Sequence, residues 1–167
     1  MAVLGACSPT SDAAPPSSSG PGAAMATSSA PATSSTSSNP TDDEQAVAAA
    51  QRYVESTSRA LDSGTTTELR AQFVDGCIVC ARDADHIDSL HAAGRHVQGG
   101  HVSLSSIRVE SAPDPTHRML TCVISAAAAI VVDVNGRQVD SFPASSSPKR
   151  ILVAKSGATW LVEGVFT

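Results

Sequence analysis

Aromatic residues are scarce: one Trp, one Tyr and three Phe in 167 residues. So few rings argue against a large aromatic pocket gripping a bulky ligand. Charge is also unconcentrated. Eleven basic and sixteen acidic residues give a net charge of −5, and no block of like charge or basic stripe appears, which excludes nucleic acid as a partner. No apolar run approaches the roughly 18 residues of a membrane-spanning helix. The longest, from Ala126 to Val132, is the size of a strand. Nucleophile elbows, phosphate-cradling glycine loops and His-Glu-x-x-His are absent. So is the second Cys-x-x-Cys that a four-thiolate zinc site needs.

The first informative stretch is Leu4-Gly5-Ala6-Cys7, which resembles a bacterial lipobox: an aliphatic residue, two small residues and the cysteine that takes the lipid. A signal peptide needs a charged region and about 7–15 apolar residues before its cleavage site. Only six residues precede Cys7, so residues 1–6 read as the remnant of a lipoprotein signal peptide. Residues 7–40 follow with 11 Ser, 4 Thr, 7 Ala and 6 Pro and a single charge, Asp12. Such a segment buries too little apolar surface to offset its ordering entropy, so it is expected to be a disordered tether. As a flexible coil it would reach on the order of 30 Å. A lipobox followed by a small-residue tether implies a protein anchored through Cys7 to the outer face of the cell membrane, with a single domain over residues 41–167.

That domain begins with Thr41-Asp42-Asp43-Glu44, a capping box whose acids suit the positive end of a helix dipole. Val47, Ala50, Val54, Thr57 and Leu61 then recur at spacings of 3, 4, 3 and 4, one face of a helix, and Gly64 is placed to end it. Thr65-Thr66-Thr67-Glu68 repeats the capping box and predicts a short second helix to Phe73, with Leu69 and Phe73 on its buried side. Asp75-Gly76 breaks the chain. Asp83 offers the start of a third helix with Ile87 and Leu90 on one side and Gly94 as its stop.

From Gln98 the period changes. Val102 and Leu104 alternate, then Ile107 and Val109 alternate in opposite phase, which places a β-bulge at Ser105-Ser106. Pro113-Asp114-Pro115 makes a turn. Every even position from Leu120 to Val134 is apolar, a length that one small domain accommodates only if the strand bends, and Ala126–Ala129 is the place for the bend. Asn135-Gly136 signals a two-residue hairpin, with its return strand ending before Pro143. Ser145-Ser146-Ser147-Pro148 reads as a loop, and two further strands meet at Ser156-Gly157. The expectation is an α+β domain: three N-terminal helices packed on a curved antiparallel sheet of about five strands.

The order of long helix, short helix, third helix and bent strands closing on Trp160-Leu161-Val162-Glu163-Gly164-Val165-Phe166 resembles the cone fold of the nuclear transport factor 2-like superfamily. More narrowly, Gly76-Cys77-Ile78-Val79-Cys80 between a capped helix and C-terminal hairpins resembles a family of uncharacterised actinobacterial lipoproteins. The resemblance implies an architecture and an address and transfers no chemistry. Cone-fold domains include isomerases, cyclases and hydratases that hold an Asp/His or Tyr/Asp set in an apolar cone. Here the even face from Leu120 to Val134 carries no titratable group except Cys122, Asp133 falls in the opposite phase, and nothing in the sequence pairs Tyr53 or His117. No catalytic residue, metal ligand set or cofactor site is assigned.

Outside the cytoplasm a close Cys77/Cys80 pair defaults to a disulfide, here a clasp between the helical hairpin and the third helix. A redox site is the alternative, because the pair lies near a helix N-terminus, where thiol pKa values fall. Against it stand the absence of a βαβ setting and the apolar Ile78-Val79 between the thiols. His86, His91, His96 and His101 recur every five residues, which turns successive imidazoles about 140° apart on a helix and does not gather them on a metal. Asp88 and His91 share one helix face but read as solvated. Cys122 reads as a buried free thiol. Two functions follow: a non-catalytic domain binding an envelope protein or small ligand, or a thiol-disulfide protein using Cys77 and Cys80. A cone-type isomerase or hydratase comes third.

Overall fold

The computed structural model describes residues 40–167, so the lipidation expected at Cys7, the signal remnant and the tether lie outside the described residues. Within them the chain is α+β, with three helices and seven strands in two antiparallel sheets.

Helix α1 (Asp42–Ser63) starts as the sequence dictates. The Glu44 amide donates to Thr41 Oγ1 (3.2 Å) while the Thr41 amide donates to the Glu44 carboxylate (2.7 Å). It ends at Gly64, whose φ of 71° is left-handed and whose missing Cβ leaves room for the His91 ring. Its seat on the core is rotated from the expected stripe. Ala46, Ala49, Ala50, Tyr53, Val54 and Ala60 lie at the contact, so Ala50 and Val54 of the expected stripe are buried, while Val47, Thr57 and Leu61 flank it half-buried. Alanine faces let the helix approach the sheet closely, and the larger side chains fill the margins. Ser58 is buried and pins this contact, its Oγ donating to the Val102 carbonyl (2.9 Å) and accepting from the Val102 amide (2.8 Å).

The second capping box does not form. Helix α2 (Thr67–Arg70) is a single turn whose N-cap is Thr66 and not Thr65. The Thr66 hydroxyl donates to Asp88 on the next helix (2.9 Å), Glu68 accepts from Arg59 (2.8 Å) and the Thr65 hydroxyl meets Ser63 (2.9 Å), so no side chain caps it. Arg70 bridges Asp85 and Asp88 (2.7 Å each). Leu69 and Phe73 are buried as expected, but Phe73 has left the helix and pairs in parallel with Val162. Helix α3 (Ile78–Ala92) begins five residues earlier than Asp83, with Cys77 as its N-cap, and terminates at a left-handed Gly94. The cysteine pair therefore sits in the first turn of this helix and not ahead of it.

The larger sheet has the order β2 (Val102–Asp114), β3 (His117–Ala126), β6 (Ser145–Ser156), β7 (Thr159–Phe166). The smaller has β1 (His96–Gly99), β4 (Ala129–Val132), β5 (Gln138–Phe142). The expected bulge is present: the β2–β3 register slips between Ser105 and Arg108, with Ser106 at φ 52°. The expected bend falls at Ala127-Ala128 and divides the long strand between the two sheets. Burial switches phase there, from Leu120 and Cys122 to Ala129 and Val131; of the even positions beyond the bend only Val132 is buried, and Val134 is exposed. The Asn135-Gly136 hairpin has three loop residues, not two. The Gly136 amide donates to the Asp133 carbonyl and the Asp133 amide to Arg137, with Gly136 left-handed, the type I turn plus bulge arrangement.

Two strands are added to the expected five: β1, whose four residues carry little alternation, and β4, which the bend separates from β3. Ser145–Pro148, expected as a loop, instead extends β6 and pairs in register with Val123–Ala126. Pro148 is tolerated because β7 reaches β6 only from Arg150 onward, leaving the outer side of Pro148 without a partner strand that needs its N–H.

Candidate functional site

A cleft of about 710 Å³ opens between α1, α3 and the inner face of the larger sheet, within the range of small-molecule pockets. Helix α1 contributes Tyr53, Val54 and Thr57, one helical turn apart. Helix α3 contributes Val79, Arg82 and Asp83, with the same spacing. Val102, Ile124, Lys149, Val165 and Phe166 come from four strands. Apolar walls with a few polar groups suit an organic molecule better than a metal ion, and among the described residues no group of three His, Cys, Asp or Glu is gathered for one.

Tyr53 is the buried anchor of this wall, its ring edge-on to Phe73 with centroids 6.4 Å apart. Burial, with the charge of Asp83 adding to it, pushes the phenol well above its ordinary range. It therefore stays protonated, and its hydroxyl has no hydrogen-bond partner among the described residues. Asp83 stands at the rim with about half its side chain exposed and Arg82 3.9 Å away. Burial raises its carboxyl above the usual value, with Arg82 and His86 opposing. The sequence leaves Tyr53 unpaired; the structure places it on the same cleft as Asp83, although no hydrogen bond joins them.

Cys77 and Cys80 are joined by a disulfide with Cα atoms 5.3 Å apart, and both residues are buried, at 1 % and 0 % exposure. Their bond fixes the turn of α3 from which Val79 enters the cleft, while Ile78 faces solvent. Cys122 is a buried free thiol, as expected; burial pushes its pKa up, and its Sγ lies 3.6 Å from the Lys149 carbonyl.

The remaining sequence candidates lie off the cleft. His117 is held by Asp114 (2.9 Å) and lies 3.3 Å from Glu163, and the Thr116 and His117 hydrogen bonds lower the Asp114 carboxyl to about 2. Asp133 caps its own hairpin by accepting from the Asn135 and Arg137 amides. Of the histidines, only the His91 and His96 rings approach each other, at 5.8 Å between centroids, and Asp88 is engaged by Arg70 and Thr66. Sequence reasoning missed Arg82 and Lys149. Lys149 could have been found from β6 alone, since it continues the alternation of Val153 and Ile151 inward.

No family model and no curated protein matches the sequence. Solved structures do resemble the fold. The intermembrane-space region of the chloroplast protein ARC6 superposes with a TM-score of 0.56 at 15% identity, covering 77% of this chain and 99% of that one. The Kfla4162 protein of Kribbella flavida gives 0.51 at 12% identity, covering 73% and 86%. An uncharacterised Caulobacter vibrioides protein with a cystatin-like fold gives 0.45 at 11% identity, covering 72% and 86%. At these identities the likeness is one of fold.

Proposed function

We infer that this chain is an extracytoplasmic protein, lipid-anchored through Cys7, whose cone-type domain of the nuclear transport factor 2-like plan binds a small ligand without transforming it. The observation that carries the binding reading is the cleft, apolar in its walls and provided with a free phenol donor at Tyr53. The buried Cys77–Cys80 bridge supports the address, since such bonds persist in oxidising compartments. Burial also argues against thiol exchange, because an attacking thiolate must reach a sulfur. Glutathione exchange that is lost in Cys80→Ala would restore that alternative.

One observation favours a second reading, an acid–base enzyme: Tyr53 and Asp83 share the cleft, and Asp83 is shifted toward neutral pH. Binding is preferred because the pair is unlinked and Asp83 is half exposed beside Arg82, whereas general acid–base work needs groups within reach of one proton.

The neutral apolar fluorophore N-phenyl-1-naphthylamine is expected to brighten on binding the domain, and Ile124→Trp, which fills the cleft from β3, to abolish most of that signal. A signal unchanged by the substitution removes the cleft as the site. Intact mass of the protein made from its natural upstream region tests the anchor: the expected species begins at Cys7 and carries lipid, and an unlipidated chain rules the address out.

A further inference from the structure

The inner face of the larger sheet carries three cations, and only two are matched. Strand register puts Arg118 opposite Val153 and Lys155 opposite Trp160, on the row of buried side chains. At that end α1 supplies their counter-charges: Asp43 lies 2.6 Å from Arg118 and Asp42 lies 2.7 Å from Lys155. Both carboxylates belong to the first turn of the helix, so the sequence that caps α1 also neutralises the sheet beneath it.

Lys149 occupies the same row at the other end, two residues from Ile151 and opposite Cys122. It is half-buried and lines the cleft together with Asp83 and Thr167, yet among the described residues no carboxylate lies within 4.0 Å of its ammonium. Its outward neighbour Arg150, by contrast, is paired with Glu110 at 2.9 Å. An anion entering the cleft would meet this cation with less competition from water than at an open surface. Arg82 stands on the facing helix wall with only the 3.9 Å approach of Asp83, and the Tyr53 hydroxyl offers one more donor.

We propose that the cleft takes a small amphipathic anion, an apolar acid whose carboxylate is met by Lys149 and whose hydrocarbon body lies against Val54, Val102, Ile124 and Val165. This rests on the cleft being the binding site and adds the charge of the occupant. Recognition is by Coulomb attraction in a partly desolvated recess, where a pair at about 4 Å is worth several-fold more than in bulk water.

The test uses the full chain and three probes of one length at submicellar concentration, decanoate, decanol and decylamine, each displacing N-phenyl-1-naphthylamine. Decanoate is expected to bind about tenfold or more tighter than decanol, and decylamine weakest; tenfold corresponds to about 1.4 kcal/mol. Lys149→Met and Lys149→Gln, each checked for wild-type circular dichroism, are expected to bring decanoate and decanol within about twofold of one another, while Arg150→Met keeps the preference. Equal binding of decanoate and decanol by the unaltered protein, or a preference that survives both Lys149 variants, overturns the anion assignment and leaves the cleft intact. If none of the three displaces the fluorophore, the amphiphile assignment fails; if the fluorophore itself does not bind, the cleft reading fails with it.

Discussion

Trp160→Ala is expected to destabilise the domain by about 3–5 kcal/mol, the range for removing a large buried ring. Trp160 is 1 % exposed and is the largest side chain in the core. It also couples two parts of the fold. Arg118 and Lys155 stand 5.3 and 5.7 Å from its ring centroid, and both are tied to the first turn of α1 through Asp43 and Asp42. Losing the ring removes its packing and the surface against which those cations are stacked, so the seat of α1 loosens with it. Denaturant unfolding followed by circular dichroism measures the effect. Ile78→Ala, at a side chain 81 % exposed, is the control and should change stability by no more than about 0.5 kcal/mol. A Trp160→Ala domain as stable as the control would mean that the sheet does not hold α1 in this way.

The second large effect concerns the cysteine clasp. Closing a loop as short as Cys77 to Cys80 removes little chain entropy, so Cys77→Ala/Cys80→Ala is expected to cost on the order of 2 kcal/mol. The loss should appear as a lower denaturation midpoint, with the cleft still binding N-phenyl-1-naphthylamine under conditions where the variant is folded. Unchanged stability would sink the structural role of the bridge. Unchanged stability together with lost exchange activity would convert the pair into a working redox site. The structure moves the clasp relative to the sequence expectation: it closes the first turn of α3 and does not join that helix to the hairpin before it.

What was legible in the sequence was local. The capping box at Thr41, the stop at Gly64, the bulge at Ser105-Ser106 and the bend in the alanine run each depend on residues within a few positions of one another. Two of the departures involve a distant partner. The second capping box does not form because the helix starts one residue later, at Thr66, whose hydroxyl goes to Asp88, 22 residues away, while Arg59 takes Glu68. The Ser145–Pro148 segment looks like a loop by composition and is a strand because β3 is there to pair with it. The even apolar face crosses a bend at which burial moves to the odd positions Ala129 and Val131. The site was hidden for the same reason. Tyr53, Asp83 and Lys149 lie on α1, α3 and β6, and only the fold reveals that they share a cleft.

Amide and methyl NMR spectra recorded against a library of small organic molecules would show whether the recess between α1, α3 and the sheet is where this domain meets its ligand. Hits are expected whose shifts cluster on Val54, Val79, Val102, Ile124 and Val165, with acids prominent among them. Hits that cluster on another surface, or a library that yields none on these residues, would contradict it.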